Sequence, residues 1–212
     1  MSEERKHIRP GKEDLLWRMK DAPLEQRLYV APLISERQVG EGTIDMRCGT
    51  EFIIVRRTRR SIVDPLAPRG MIGDYQEKTY VEPGHFLFLH PRQFILGCTL
   101  EYVRMPGDLC AFVVGRSSWG REGLMIATAT FVHPTYAGVI TLELVNVGEA
   151  PISLYPGSRI AQLVFESATR AEKDLLKSKY IGSTGPTFSR LHEDDEWPLI
   201  AKLKHRKNGK NA

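Results

Sequence analysis

Residues 115–143 read GRSSWGREGLMIATATFVHPTYAGVITLE, and the same run continues to Val147. Its last part decides the fold. Val139 to Val147, V-I-T-L-E-L-V-N-V, has the β-branched content and the length of a strand. Alternation puts Ile140, Leu142 and Leu144 on one face, and Val139, Thr141, Glu143, Val145 and Val147 on the other. One carboxylate, Glu143, therefore lies among apolar neighbours. A buried carboxylate is costly unless bonded, and burial raises its pKa, which suits a glutamate to acid–base work near neutral pH. The alternative is an outward-facing glutamate on a half-exposed strand.

The start of the stretch carries different chemistry. Arg116 and Arg121 offer planar, permanently charged donor forks that match phosphate oxygens. Ser117 and Ser118 add short hydroxyl donors, and Gly115, Gly120 and Gly123 let backbone approach a ligand closely. Together these groups suit a phosphate cradle. A polar surface turn between two strands is the other reading.

Working outward, the pattern predicts strands at Thr43–Arg47, Glu51–Arg57, Thr79–Val81, Phe86–Leu89, Gln93–Val103, Leu109–Gly115, Leu124–Thr130, Val139–Val147, Ile152–Leu154 and Arg159–Phe165. Gly and Pro punctuate nearly every gap, so many short strands imply an all-β sandwich or barrel. Glu13–Lys20 predicts one short amphipathic helix, with Leu15, Leu16 and Met19 near one face. Leu28–Ile34, interrupted by Pro32, reads as an extended edge segment. Arg56, Arg57, Arg59 and Arg60 form a basic run before an irregular loop at Pro65–Tyr75. Residues Lys177–Arg190 combine Gly182, Gly185 and Pro186 with Lys179, Ser183 and Arg190, which suits either a phosphate-ordered lid or a plain surface tail. Four divisions follow: an N-terminal helix and arm over 1–40, a β core over 41–176, a lid and acidic segment over 177–200, and a disordered basic tail over 201–212.

Composition narrows the function classes. A chain of 212 residues with 42% hydrophobic content can bury a substantial core. No apolar run reaches membrane-spanning length and no charged-then-apolar leader opens the chain, so a cytoplasmic protein without a membrane partner is expected. Much of the net charge of +4 sits in the tail Lys202–Ala212, which could touch nucleic acid but reads rather as a frayed terminus, so nucleic acid is not an expected partner. Cys48, Cys98 and Cys110 are isolated, which argues against a disulfide framework and against zinc.

Gly115–Glu143, Asn146 and LYPGSRIAQLVFE (Leu154–Glu166) together resemble the dCTP deaminase branch of the dUTPase superfamily. GTIDMRCGTEF (Gly42–Phe52) is similar to that family's first core hairpin, and SKYIGSTGPTFSR (Ser178–Arg190) to its C-terminal segment. The resemblance spans roughly Gly40 to Arg190. It implies a distorted β-barrel or jelly roll of the dUTPase-like β-clip type, with a short N-terminal helix. It also implies a homotrimer with sites between subunits and a deoxynucleotide triphosphate substrate. Magnesium would travel with that triphosphate, held mostly by phosphate oxygens and water.

Residue by residue, the resemblance gives Arg116, Ser117, Ser118 and Arg121 to the triphosphate and the reacting centre. Glu143 would be the catalytic acid/base, with Ser117 and Arg121 positioning water. Thr141 and Leu142 would present backbone to the base, and Lys179 would reach phosphate from the closing segment. The implied reaction is hydrolysis of dCTP to dUTP and ammonia. The His-x-Glu and Pro-Cys-x-x-Cys pattern of zinc deaminases is absent, so such a reaction would use no metal-bound hydroxide.

Departures from the family pattern bear on substrate. His133 stands where an aspartate is usual, and Ile126–Val132 is one residue short. Ala171 or Glu172 replaces a tyrosine, and the position near Ser183 lacks a glutamine. His133 could hydrogen-bond a sugar hydroxyl or be a surface-loop histidine. Lacking the aspartate disfavours a dUTP diphosphatase and the bifunctional deaminase-diphosphatase, which stay as alternatives. A nucleotide-binding module that kept the fold without turnover is the third.

Overall fold

The computed structural model describes residues 9–56, 76–127, 131–168 and 179–208, excluding the side chains of 204–208. Arg57, Arg59 and Arg60, the loop Pro65–Tyr75, Ala171, Glu172 and the last residues of the tail lie outside the described residues.

Sequence pattern becomes structure most directly in the first helix, α1 (Lys12–Lys20). Glu13 and Asp14 sit in its first turn and Arg18 and Lys20 in its last, each complementing the helix dipole. Leu15 is its fully buried anchor. The extended segment after it supplies β1 (Tyr29–Ala31), which pairs along an edge. A short 3-10 turn at Glu36–Gln38 follows, closed by a capping box in which Ser35 accepts from its own turn.

The remaining strands are β2 (Val39–Gly40), β3 (Thr43–Arg47), β4 (Glu51–Val55), β5 (Gln76–Tyr80), β6 (Leu87–Leu89), β7 (Phe94–Arg104) and β8 (Leu109–Gly115). After a single helical turn, α2 (Ser117–Arg121), come β9 (Leu124–Ile126), β10 (Phe131–Val132), β11 (Ala137–Asn146), β12 (Ile152–Leu154) and β13 (Arg159–Ser167). One sheet runs β5-β4-β7-β11-β9 with β1 beside β7, a second runs β10-β8-β13-β3-β2, and β12 pairs with β6. The fold is all-β, and each sheet is an open path rather than a closed ring. Inward faces build one core: Phe52, Ile95, Leu142 and Leu144 from the first sheet, and Ile44, Met46, Val113, Leu163 and Phe165 from the second.

The expected strands Leu109–Gly115 and Ile152–Leu154 form over those residues. The expected strand at Leu124 stops at Ile126. The glutamate strand begins two residues early, at Ala137.

The chain divides into two units, one of residues 1–54 and 78–187, the other of 55–77 and 188–212. In the second, Arg56 pairs with Glu77, and the Trp197 indole donates to the Leu191 carbonyl. Its main element is α3 (Trp197–Asn208), formed where the sequence suggested an acidic segment and a loose tail. Among the described residues, no helix is long and apolar enough to cross a membrane.

Candidate active site

Glu143 stands in the middle of β11, opposite Leu96 of β7. The strand alternates as its pattern requires: Leu142, Leu144 and Asn146 are buried, while Thr141, Glu143 and Val145 are half-buried. Val145 faces Phe94 on one side and Met125 on the other, and both of these are exposed. The carboxylate thus shares its face with apolar side chains. Loss of solvent pushes the Glu143 carboxyl above its ordinary value.

Backbone directions along β11 follow the same alternation. Ile140 N–H points towards β7, where the Thr99 hydroxyl accepts it at 3.0 Å. The neighbours point the other way: Glu143 C=O accepts from Ala127 N–H at 2.8 Å, and Val139 N–H donates to Ser183 C=O at 2.9 Å. Thr141 lies between those two and shares their direction. Leu142 puts its side chain in the core, and its backbone faces β7 opposite Gly97. Of the two expected backbone positions, Thr141 is the one turned to the far edge.

At the Gly-Arg-Ser-Ser turn, β8 ends and α2 begins. Trp119 N–H and Gly120 N–H both donate to the Arg116 carbonyl, which closes the turn. The Trp119 indole pins it to β13 by donating to Arg159 C=O at 2.9 Å. Ser117, Ser118 and Arg121 are exposed on this turn, whereas Arg116 is half-buried. The Arg116 Nε lies 3.6 Å from Asp45 Oδ1. Gly123, at φ +91°, then reverses the chain into β9; a Cβ there would meet Gly148 N at 2.8 Å. Val147 N–H donates to Gly123 C=O at 2.9 Å. The serine-arginine turn and the glutamate strand are therefore held through β9.

His133 is exposed and packs edge-on against Phe131, ring centroids 4.7 Å apart. Lys179 is half-buried at the start of the segment that reaches β11. There Gly182 N–H donates to Ala137 C=O at 2.7 Å, and the Ser183 hydroxyl donates to Val139 C=O at 3.1 Å. Among the described residues, no three His, Cys, Asp or Glu side chains gather into a metal-holding group. Cys48, Cys98 and Cys110 are buried free thiols, and burial pushes Cys98 up to about 12.

Residues 16–168 match the family described as dCTP deaminase-like. The chain belongs to the dCTP deaminase-like family. A relative from Natronomonas pharaonis, described as dCTP deaminase, is 43% identical over 190 residues, covering 84% of this chain and 97% of its own. Another from Methanobrevibacter smithii, described as dCTP deaminase, dUMP-forming, is 40% identical over 178 residues, covering 81% and 91%. Among solved structures, 2'-deoxycytidine 5'-triphosphate deaminase from Agrobacterium tumefaciens matches with a TM-score of 0.53 at 19% identity. That match spans 66% of this chain and 44% of that one, and it shows the fold.

Within this dCTP deaminase-like chain, sequence reasoning missed the groups that hold the expected residues. Asp45 braces Arg116 from another strand. Thr99 fills the register shift of the β7–β11 pairing, on the β7 side opposite Val139–Thr141. Asn146, fully buried, donates to Leu89 and Ala150 carbonyls and accepts from Gly148 N–H, fixing the turn after the glutamate strand. Asp45 and Asn146 stand inside the quoted motifs, and that was the available signal. Thr99 has none.

Proposed function

We propose that the protein is a dCTP deaminase that converts dCTP and water to dUTP and ammonia, with Glu143 as the acid/base. The observation that carries this reading is a half-buried carboxylate, held above its ordinary pKa on an apolar strand face, in a chain of this family. Glu143 takes a proton from water as the oxygen bonds to C4 of cytosine. The same carboxyl delivers that proton to N3. It then relays the remaining hydroxyl proton to the amine, the C4–N bond breaks, and ammonia leaves as the C4 carbonyl forms. One glutamate serves both turns because each transfer resets it.

Arg116, Ser117, Ser118 and Arg121 bind the triphosphate, with Ser117 and Arg121 also ordering the water. Lys179 adds a charge from the segment docked on β11. Thr141 offers backbone to the base, and His133 stands towards the sugar. Magnesium arrives with the triphosphate, on phosphate oxygens and water. A homotrimer is the assembly that suits the exposed Phe94 and Met125 beside Val145, because a second copy covering them would also shield Glu143 from water.

A second reading ends at dUMP. It draws on the dUMP-forming description of the 40% identical relative. His133 in place of an anionic base favours stopping at dUTP. One panel separates the readings: ammonia from dCTP, pyrophosphate from dUTP, and binding without either, all with magnesium. Ammonia without pyrophosphate is expected. Glu143→Gln should abolish ammonia release while nucleotide still binds; normal turnover in that variant would overturn the assignment.

A further inference from the structure

Arg159 was not among the residues expected to meet substrate, yet its guanidinium meets the same side chain as that of Arg116. Both are held by one carboxylate. Asp45 is only 6% exposed. Its Oδ2 accepts from Arg159 Nη1 at 2.9 Å, its Oδ1 accepts from Gln162 Nε2 at 2.7 Å, and Arg116 Nε lies 3.6 Å from Oδ1. Arg116 Nη1 also donates to the Arg159 carbonyl at 3.3 Å. Two like charges at such range repel, and the buried anion between them offsets this. Each guanidinium has five N–H donors, and Asp45 engages few of them. Both side chains are part-exposed, Arg116 directly precedes Ser117 and Ser118, and the remaining donors stay available to an incoming anion.

We propose that Asp45 is a positioning residue that locks Arg116 and Arg159 into a two-arginine clamp, and that Arg159 is a further phosphate ligand of the site. This rests on the reading of the turn as a triphosphate cradle. Fixing the forks before substrate arrives removes side-chain entropy that binding would otherwise cost. Plain electrostatics makes the opposite prediction for Asp45. A carboxylate beside a polyphosphate repels it, so removing the charge should tighten binding. Asp45→Asn keeps one acceptor but turns an amide donor towards guanidinium donors, so the clamp should open and binding should weaken although net charge rises.

The test titrates the full-length protein with inorganic tripolyphosphate and measures KM and kcat with dCTP. Arg159→Met should weaken tripolyphosphate binding and raise KM by about tenfold, the size expected for one lost charge-assisted hydrogen bond, with kcat nearly unchanged. Arg159→Lys should recover part of the loss, since it keeps the charge without the fork. Asp45→Asn should weaken binding too. Tighter tripolyphosphate binding by D45N, or unchanged binding by R159M, would overturn the proposal. Should D45N fail to fold, the two Arg159 variants decide alone. A wild-type protein that binds tripolyphosphate through Arg159 but releases no ammonia from dCTP would refute the deaminase reading and leave the clamp standing. Failure of the wild type to bind tripolyphosphate would refute the clamp.

Discussion

The hydroxyl of Thr99 accepts the Ile140 N–H at 3.0 Å and donates to the Glu101 carbonyl at 2.8 Å. It does so where the β7–β11 ladder shifts register, between Val139 opposite Tyr102 and Thr141 opposite Cys98. A side chain thus replaces a backbone partner three residues before Glu143. Thr99 is 1% exposed, so water cannot readily take its place.

Thr99→Val removes both hydrogen bonds while keeping the shape. The buried Ile140 N–H then lacks its acceptor, which costs about 1–3 kcal/mol. Urea unfolding should show that loss, and kcat should fall because Thr141 and Glu143 no longer hold their places. Thr99→Ser should restore most of both. Equal stability of Thr99→Val and wild type would show that the register shift needs no hydroxyl.

Glu143 links activity to stability through pH. Its folded pKa is raised above the ordinary 4.5 by loss of solvent. The native state therefore holds the proton in a window where the unfolded chain has released it. Its contribution to stability is fully present below the unfolded value and is lost as pH rises through the folded one. Catalysis by the carboxylate needs the ionised form, so the acid limb of kcat/KM should climb through the same window, above 4.5. Glu143→Gln should be inactive and, above that window, at least as stable as wild type. Buried Glu101 shifts in the same direction, also by loss of solvent, but is common to both proteins. The difference between the two stability curves therefore isolates Glu143. A flat difference from pH 4 to pH 8, roughly the span over which a raised carboxylate titrates, would contradict the assigned environment.

Legibility in the sequence tracked how local each cause was. β8 and β12 form over the expected residues because their apolar runs end at residues that suit turns, Gly115 and Pro156. Glu143 could be placed on a mostly apolar face by counting alternation along its own strand. α2 was not legible as helix: two serines and Gly120 are weak helix formers, and its closure depends on Arg116 C=O and on Trp119 reaching β13. Asp45 and Arg159 lie 114 residues apart, and Thr99 and Ile140 lie 41 apart. No spacing rule joins such pairs, because sheet pairing alone brings them together. α3 was missed for a related reason: the basic residues that suggested a loose tail are also good helix formers.

Gly138 tests whether the C-terminal segment belongs to the site. Its φ is +149°, and a Cβ there would lie 3.0 Å from both Ser183 Oγ and Tyr136 Oη, and 3.2 Å from Ser183 N. The Tyr136 hydroxyl donates to Val139 C=O at 2.8 Å, so it cannot retreat without loss. Tyr136 also packs against the core, so Gly138→Ala should displace Ser183 instead and free the Val139 amide that Ser183 C=O now accepts. Hydrogen exchange should show reduced protection at Val139 and Gly182, with protection of Leu142 and Leu144 retained. Lys179, carried by the same segment, should then bind phosphate less well, raising KM for dCTP several-fold, while kcat at saturation changes little because Glu143 has not moved. Unchanged exchange at Val139 in Gly138→Ala would mean that Ser183 does not hold this edge of the strand, and Lys179 would lose its route to the nucleotide.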